Sequence, residues 1–243
     1  MRSIRSFIDA PLGPGTELPL PEAVGNHLVR VLRLKAGDAF SLFNGDGNDY
    51  PAEITGTDRK GVKARVLSCH AVTNESPLRI HLYQSIARGE KMDWILQKAT
   101  ELGVIAVTPI VSDRTEVKLD SERSEKKTGH WQGVIRSACE QSGRAILPEL
   151  HAPIPITQMP SGLTPAKSFY LDPGSAKGIS SLTAEIDDAL ALAIGPEGGF
   201  SERDISLLQT AGFNGLRIGP RILRTETAGI ADIAALQSRF GDW

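Results

Sequence analysis

The chain has 243 residues, of which 40% are hydrophobic and 23% charged, as in an ordinary globular protein. Its formal net charge of -2 argues against intrinsic disorder and gives no overall attraction to nucleic acid, so any basic face must be local. No apolar run approaches the ~20 residues of a membrane-spanning helix, and no signal peptide is recognised at the start. Two cysteines without a CxxC pattern fit a reducing compartment, so we expect a cytoplasmic protein without a zinc site or membrane contact.

Short strands and turns fill roughly the first seventy residues. Strands are predicted at Ala39–Phe43, 52–55 and 61–67, and a turn cluster rich in Asn, Asp and Gly covers 44–48. This pattern predicts a small β-rich domain of barrel type over residues 1–72. The polar stretch 73–77 marks its boundary.

One helix, predicted over residues 21–33, interrupts these strands. An α-helical period places its apolar residues on one face, with Arg30 and Arg33 beside them: Val24, Leu28, Val31 and Leu32. The two arginines are either a contact surface for phosphates or an ordinary solvated helix face.

From residue 78 onward, apolar strands alternate with amphipathic helices. The predicted strands are 78–83, 104–111, Ser168–Leu171, Ala189–Ile194 and 215–218. The predicted helices are 90–102, 124–141, one that begins at the capping box 201–204, and 226–240. Because strands that alternate with helices favour parallel pairing, the sequence predicts a mostly parallel α/β sheet over residues 73–243.

Three of these strands run into segments rich in glycine and proline, at 171–174, 194–199 and 218–223. Ligands of α/β proteins bind beyond the carboxyl ends of the strands, and glycine lets a ligand approach the main chain closely. We therefore expect one pocket lined by main chain, although plain glycine-rich turns without a ligand remain the alternative. The spacing matches neither the GxGxxG pattern of dinucleotide folds nor a phosphate-binding P-loop.

Charged residues gather at three further places. Arg88 and Lys91 lie near the predicted start of a helix, where the exposed amides favour phosphate, although these residues taken alone favour solvated charge on an exposed first turn. Glu140 and Arg144 lie at the end of the long helix, and Arg224 lies in a turn so crowded with charge that it favours a site over a surface ion pair. The five histidines are scattered, so neither a hydrolase triad nor a metal site is predicted.

Taken together, these segments resemble the RsmE-type 16S ribosomal RNA uridine-N3 methyltransferases, over the whole chain. The matching stretches are 27–33, 88–92, 97–103, 139–144, 194–199 and 223–228. Each stretch alone is weak, but the combination is specific.

The resemblance implies a PUA-like RNA-binding domain followed by a SPOUT methyltransferase domain with a C-terminal trefoil knot. It further implies a homodimer whose substrate is 16S rRNA, within the small ribosomal subunit, and S-adenosylmethionine as cofactor. The cofactor residues it implies are Leu171, Pro173, Ile194, Gly195, Pro196, Glu197, Gly198, Gly199, Ile218, Gly219, Leu223 and Thr225. RNA-binding residues would be Arg30, Arg33, Arg88, Lys91 and Arg144, and catalytic residues Arg88, Glu140 and Arg224.

Methyl transfer to N3 of uridine requires in-line placement of nitrogen and methyl group, together with loss of the N3 proton. Arg88 and Arg224 are candidates to stabilise negative charge on the uracil oxygen. Glu140, Glu197 and Glu226 are candidate bases that the sequence does not rank, and no metal is needed. Two alternatives stay open: ribose 2′-O methylation on a related fold, and RNA binding without catalysis.

Overall fold

The computed structural model describes residues 4–58, 61–117, 121–164, 167–182 and 189–243. The chain divides into two compact units. The N-terminal unit runs to Glu75 and also takes in Arg136–Leu147, and the C-terminal unit comprises Ser76–Ile135 and Pro148–Trp243. Residues 136–147 therefore belong with residues that are distant in the sequence, and no local sequence pattern predicts this grouping.

The N-terminal unit is built on a mixed sheet. Its strands are β1 (Arg5–Phe7), β2 (Glu17–Pro19), β3 (Ala39–Phe43), β4 (Asn48–Asp58), β5 (Gly61–Val66) and β6 (His70–Ala71). The order is β1-β3-β4-β5-β2, with β6 paired to β4, and β1 runs parallel to β3 while the other pairs are antiparallel. The predicted alternation is confirmed in β5, where Ala64 and Val66 are buried and Lys63 and Arg65 are exposed.

The helix predicted over 21–33 changes its geometry part-way. It begins as α1 (Glu22–Asn26) and continues as a π-helix (His27–Val31). The amide of Leu32 donates to the carbonyl of His27, five residues back, at 3.0 Å. Leu28 is buried, but Val31 and Leu32 are 65% and 38% exposed, so the four apolar residues do not form one buried face. The cause is the wider π turn, which shifts every later residue from its α-helical position.

Within its described residues, the C-terminal unit has parallel strands and four α-helices. The strands are β7 (Arg79–Ser85), β8 (Ala106–Val111), β9 (Glu149–Leu150), β10 (Ile154–Pro155), β11 (Ser168–Leu171), β12 (Ala189–Ile194) and β13 (Asn214–Leu216). The helices are α2 (Lys91–Glu101), α3 (Ser121–Ser142), α4 (Glu202–Ala211) and α5 (Thr225–Phe240). α3 continues into the N-terminal unit from Arg136.

Every strand pair in this second sheet is parallel, and the order is β10-β8-β7-β12-β11-β13, with β9 paired to β8. The predicted parallel α/β sheet is therefore confirmed. β12 lies between two neighbours and is buried from Leu190 onward, as its unbroken apolar sequence requires. Because β12, β11 and β13 are adjacent and parallel, their carboxyl ends meet at one edge of the sheet.

The amphipathic pattern predicted for the helices of this unit is seen in α2. α2 buries Met92, Ile95, Leu96 and Ala99. α4 begins at the predicted capping box, in which Ser201 and Asp204 exchange side-chain and main-chain hydrogen bonds, and it ends at Gly212 in the left-handed conformation. No helix in the described part of the chain is long and apolar enough to span a membrane.

Candidate functional site

The carboxyl ends of β11, β12 and β13 surround one cavity of about 270 Å³. Small-molecule sites are typically about 300–1,000 Å³, so the cavity lies just below that range. Its wall consists of residues 171–173, 194–200, 216–219 and 221–223, with Thr225 and Ala228. Every residue predicted above to bind the cofactor lies in this wall, so the three glycine-rich strand ends do converge.

The glycine-rich loop, which we define as residues 195–199, follows β12. Gly199 has φ +69°, and its amide donates to the carbonyl of Pro196 at 2.9 Å, which closes a tight turn. A Cβ on Gly195 would lie 3.1 Å from the amide nitrogen of Phe200. Glycine is therefore required at both positions, for conformation at Gly199 and for space at Gly195.

Two consecutive hydrogen bonds from buried side chains support the first residue of this loop. The Thr225 hydroxyl donates to the Gly195 carbonyl at 2.6 Å and accepts from Nε2 of Gln84 at 3.1 Å. Gln84, at the end of β7, is fully buried, and Thr225 is 5% exposed. Gln84 was not predicted as a site residue; a polar side chain ending an apolar strand is the only sequence signal for it.

Lys91 lies between two carboxylates at the cavity. Its Nζ is 3.2 Å from Oε1 of Glu197 and 3.6 Å from Oε2 of Glu226. The amide of Arg88 also donates to Glu197, at 3.2 Å. Partial burial raises the pKa of Glu197, but hydrogen bonds from its own amide, from Arg88 and from Lys91 outweigh burial and hold the pKa below its ordinary value. Glu197 is therefore a stable carboxylate that neutralises Lys91.

The two candidate catalytic arginines of this unit are exposed. The guanidinium of Arg88 is 62% exposed and forms an ion pair with Glu116. Arg224 is the N-cap residue of α5, directly before Thr225 of the cavity wall. Both arginines adjoin residues of the cavity, because Arg88 contacts Glu197 and Arg224 precedes Thr225.

The structure places Glu140 and Arg144 in the N-terminal unit, where both are engaged in internal contacts. Oε1 of Glu140 accepts from the amide of Phe7 at 2.9 Å. Arg144 is 3% exposed and binds Glu75 with two hydrogen bonds, at 3.0 and 2.5 Å. Burial leaves Arg144 no surface for a phosphate, so these contacts indicate a structural role for it.

Arg30 and Arg33 are exposed in the N-terminal unit, as an RNA-contacting pair must be. Arg33 has φ +61°, a conformation that few residues other than glycine adopt, and it follows the π-helix. The exposed apolar side chains of Val31 and Leu32 separate the two arginines in sequence.

The described residues outside the cavity contain neither a metal site nor a reactive buried thiol. Among the described residues, no group of three or more His, Cys, Asp or Glu is arranged to hold a metal ion. Burial raises the pKa of Cys139 to about 12, so its thiol stays protonated. His130 and Asp93 form a 2.7 Å contact that the sequence did not reveal, because they are 37 residues apart on α3 and α2.

Comparison with known families and structures identifies the family of the chain. The family described as RNA methyltransferase domain matches residues 74–237, and the RNA methyltransferase PUA domain matches residues 20–67. Ribosomal RNA small subunit methyltransferase E of Buchnera aphidicola subsp. Schizaphis graminum is 35% identical, covering 93% of this chain and 92% of that protein. The chain belongs to the ribosomal RNA small subunit methyltransferase E family. The predicted family and the PUA-like N-terminal assignment are thereby confirmed.

Two solved structures extend the likeness to the full chain. A methyltransferase from Legionella pneumophila, solved with bound SAM, has a TM-score of 0.95 and 40% identity, with 100% of both chains covered. A ribosomal RNA small subunit methyltransferase E from Neisseria gonorrhoeae, bound to S-adenosyl methionine, has a TM-score of 0.91 and 34% identity, again over 100% of both chains. The chain therefore has the fold of methyltransferase E enzymes and is itself an RNA methyltransferase.

Proposed function

We propose that the chain transfers a methyl group from S-adenosylmethionine to N3 of a uridine in 16S rRNA. The observation that carries this proposal is the convergence of three glycine-rich strand ends on one cavity, in a family with structures solved with the cofactor bound. The uridine and the N3 position rest on the motif resemblance, and the small subunit rests on the names of the relatives.

The residues of the cavity fit S-adenosylmethionine. Apolar side chains such as Ile218 and Leu223 offer a surface for the adenine, and the carboxylate of Asp172 in the wall would offset the positive charge of the sulfonium. A Cβ built on Gly219 meets no atom within 4 Å, so the wall leaves space at this residue. We propose that S-adenosylmethionine binds to the cofactor residues predicted from the sequence.

When bound, the cofactor supplies a methyl group that is already activated by its cationic sulfur. The protein must orient the uracil, stabilise negative charge on its oxygen and accept the N3 proton. Arg88 and Arg224 carry the charge suited to the uracil oxygen, because both side chains are exposed and their main chain adjoins residues of the cavity wall.

Of the three candidate bases, we favour Glu226. Its Oε2 is buried without a hydrogen bond from any described residue, although Lys91 lies 3.6 Å away. Glu197 is held as a carboxylate by Lys91 and two amides, and Glu140 accepts from Phe7 in the N-terminal unit. Oε2 of Glu226 therefore has the Lys91 ion pair but no hydrogen bond among the described residues, and we propose it as the proton acceptor. We no longer propose Glu140 as catalytic.

We propose residues 1–72 as the RNA-binding domain and 73–243 as the methyltransferase domain. Arg30 and Arg33 would contact RNA from the first domain, and Arg88 and Lys91 from the second, whereas buried Arg144 is left out. The homodimer and the trefoil knot complete the proposal on the resemblance alone. The small-subunit context is supported by the names of the relatives, and a cytoplasmic location by the composition of the chain.

The decisive experiment supplies the purified chain with labelled S-adenosylmethionine and either small subunits or free rRNA from a strain without this activity. Nucleoside analysis should give 3-methyluridine. A 2′-O-methylated nucleoside would favour the ribose alternative. A chain that binds RNA, transfers no methyl group and gains no thermal stability from S-adenosylhomocysteine would favour the binding module; at ~100 times Kd the ligand should add about 2.7 kcal/mol.

A further inference from the structure

The segment that follows β8 contacts the glycine-rich loop from outside the cavity. We call residues 112–116 the clasp. They lie between the predicted strand 104–111 and the predicted helix 124–141, and none of them belongs to a motif of the resemblance or to the cavity wall. Nevertheless, each of the five side chains contacts the loop, an element beside it, or another clasp residue.

The beginning of the clasp is anchored to the sheet by hydroxyl groups. Oγ of Ser112 is 3.2 Å from Oγ of Ser85 at the end of β7 and 3.0 Å from Oγ1 of Thr115. The amide of Ser112 also donates to Oγ1 of Thr115 at 3.0 Å. Ser85 and Ser112 are both buried, so this anchor is shielded from solvent.

Asp113 ties the clasp to the start of α4. Its carboxylate accepts from Oγ of Ser201 at 2.8 Å and from Nη1 of Arg203 at 2.9 Å. Its amide donates to the buried carboxylate of Asp204 at 3.1 Å. The capping box that terminates the glycine-rich loop is thus also bound to the clasp. Glu116, at the far end, pairs with Arg88.

Arg114 makes the contact with the loop itself. Its Nη1 donates to the carbonyl of Gly198 at 2.7 Å, and its Cδ would lie 3.4 Å from a Cβ on Gly198. Thr225 holds the carbonyl of Gly195 at the other end of the loop. The peptide between Gly198 and Gly199 is therefore fully engaged within the protein, because its amide donates to Pro196.

We propose that Arg114 is a positioning residue for the cofactor. A loop with three glycines has little conformational preference of its own, so its shape depends on the groups that bind its carbonyls. Arg114 fixes the carbonyl of Gly198 from outside the cavity wall and lowers the entropic cost of ordering the loop when the cofactor binds. This inference rests on the proposed function of the cavity and adds a residue outside its wall.

The test compares Arg114→Ala and Arg114→Lys with wild type, and with Arg79→Ala as a matched control. Arg79 is also exposed but starts β7, at the opposite end of the strand from the cavity. Calorimetry measures Kd for S-adenosylhomocysteine, kinetics separate KM for the cofactor from kcat, and urea unfolding without ligand measures stability.

Loss of this hydrogen bond should raise Kd and the cofactor KM about three- to tenfold in Arg114→Ala. At saturating cofactor kcat should stay near wild type, and unfolding should change little, because the Arg114 side chain is exposed. Arg114→Lys retains a cationic donor and should recover part of the affinity, whereas Arg79→Ala should bind as wild type does.

Equal cofactor affinity in wild type and Arg114→Ala would overturn the inference and leave the proposed function intact. A loss of affinity matched by Arg79→Ala would also overturn it, since general charge would then be the cause. If wild type itself binds no S-adenosylhomocysteine, the proposed function fails, and the clasp loses its cofactor role with it.

Discussion

Asp232 should make the stability of the protein fall as the pH rises. It lies on the inward face of α5, is fully buried, and neither carboxylate oxygen has a hydrogen-bond partner among the described residues. Burial raises its pKa from 3.8 to about 7, because the charged form loses its hydration. The folded protein therefore favours the protonated acid.

The sign and size of the effect follow from this difference in pKa. The contribution of the neutral acid is complete below pH 3.8 and is lost as the pH rises to about 7. A difference of about three pKa units corresponds to about 4 kcal/mol in total, at ~1.4 kcal/mol per unit. Between pH 5 and pH 8 the free energy of unfolding should fall by roughly 2 to 3 kcal/mol on this account.

Asp232→Asn removes the ionisation while it keeps the shape of the side chain. Urea unfolding of both proteins at several pH values, at one protein concentration, gives the free-energy difference at each pH. Burial lowers the pKa of His81 to about 4. Its contribution to the free energy of unfolding therefore changes in the opposite direction, because it is lost as the pH falls below 6.5. It is present in both proteins and cancels in the difference.

The difference should grow with pH in favour of Asp232→Asn, by the roughly 2 to 3 kcal/mol derived above. Asp242→Asn, which changes an exposed carboxylate just beyond the same helix, serves as the control and should show no such trend. A difference between Asp232→Asn and wild type that stays constant from pH 5 to pH 8 would refute the reasoning.

Three further outcomes are expected. Gly219→Val should weaken binding of S-adenosylhomocysteine in calorimetry without lowering the free energy of unfolding, since the new side chain enters open space; unchanged affinity would contradict the cavity assignment. The double variant Arg30→Ala, Arg33→Ala should lower the salt slope of RNA binding by about 2 and leave cofactor affinity intact; wild-type binding at every salt concentration would make both arginines ordinary surface residues. Glu75→Ala removes the carboxylate partner of buried Arg144 and should cost about 3 kcal/mol in urea unfolding, with cofactor affinity unchanged; a cost below about 1 kcal/mol would show that Arg144 does not depend on this pair.

The cavity wall was predictable because its signals are local. Apolar strands that end in glycine and proline can be recognised one at a time, and parallel pairing brings neighbouring strand ends together without further information. The same holds for the capping box at Ser201 and the inward face of α2. The π-helix was missed because the residues of 21–33 were assigned an α-helical period, which the amide of Leu32 does not follow.

The roles of single charged residues were less predictable, since a motif identifies a residue but not its partner. Glu140 and Arg144 belong to a stretch that matches the family, yet both side chains bind partners in the N-terminal unit. Conversely, Gln84 and Arg114 contact the site through residues more than 80 positions away. No local pattern encodes such contacts.

Gly198 shows how the two kinds of information combine. The sequence alone places Gly198 in the cavity wall, as the structure does. From that placement one would expect a larger residue at this position to block the cofactor. The structure directs its Cβ at the aliphatic part of Arg114 instead, so a valine would first displace the clasp. Gly219 is the direct probe of the cavity, and Gly198 reports on the loop's support. Because Arg114 and Thr225 bind carbonyl groups, which every residue has, the loop sequence gives no indication of these partners. The composition of the loop makes a close approach to the cofactor possible, and distant side chains determine the shape in which that approach occurs.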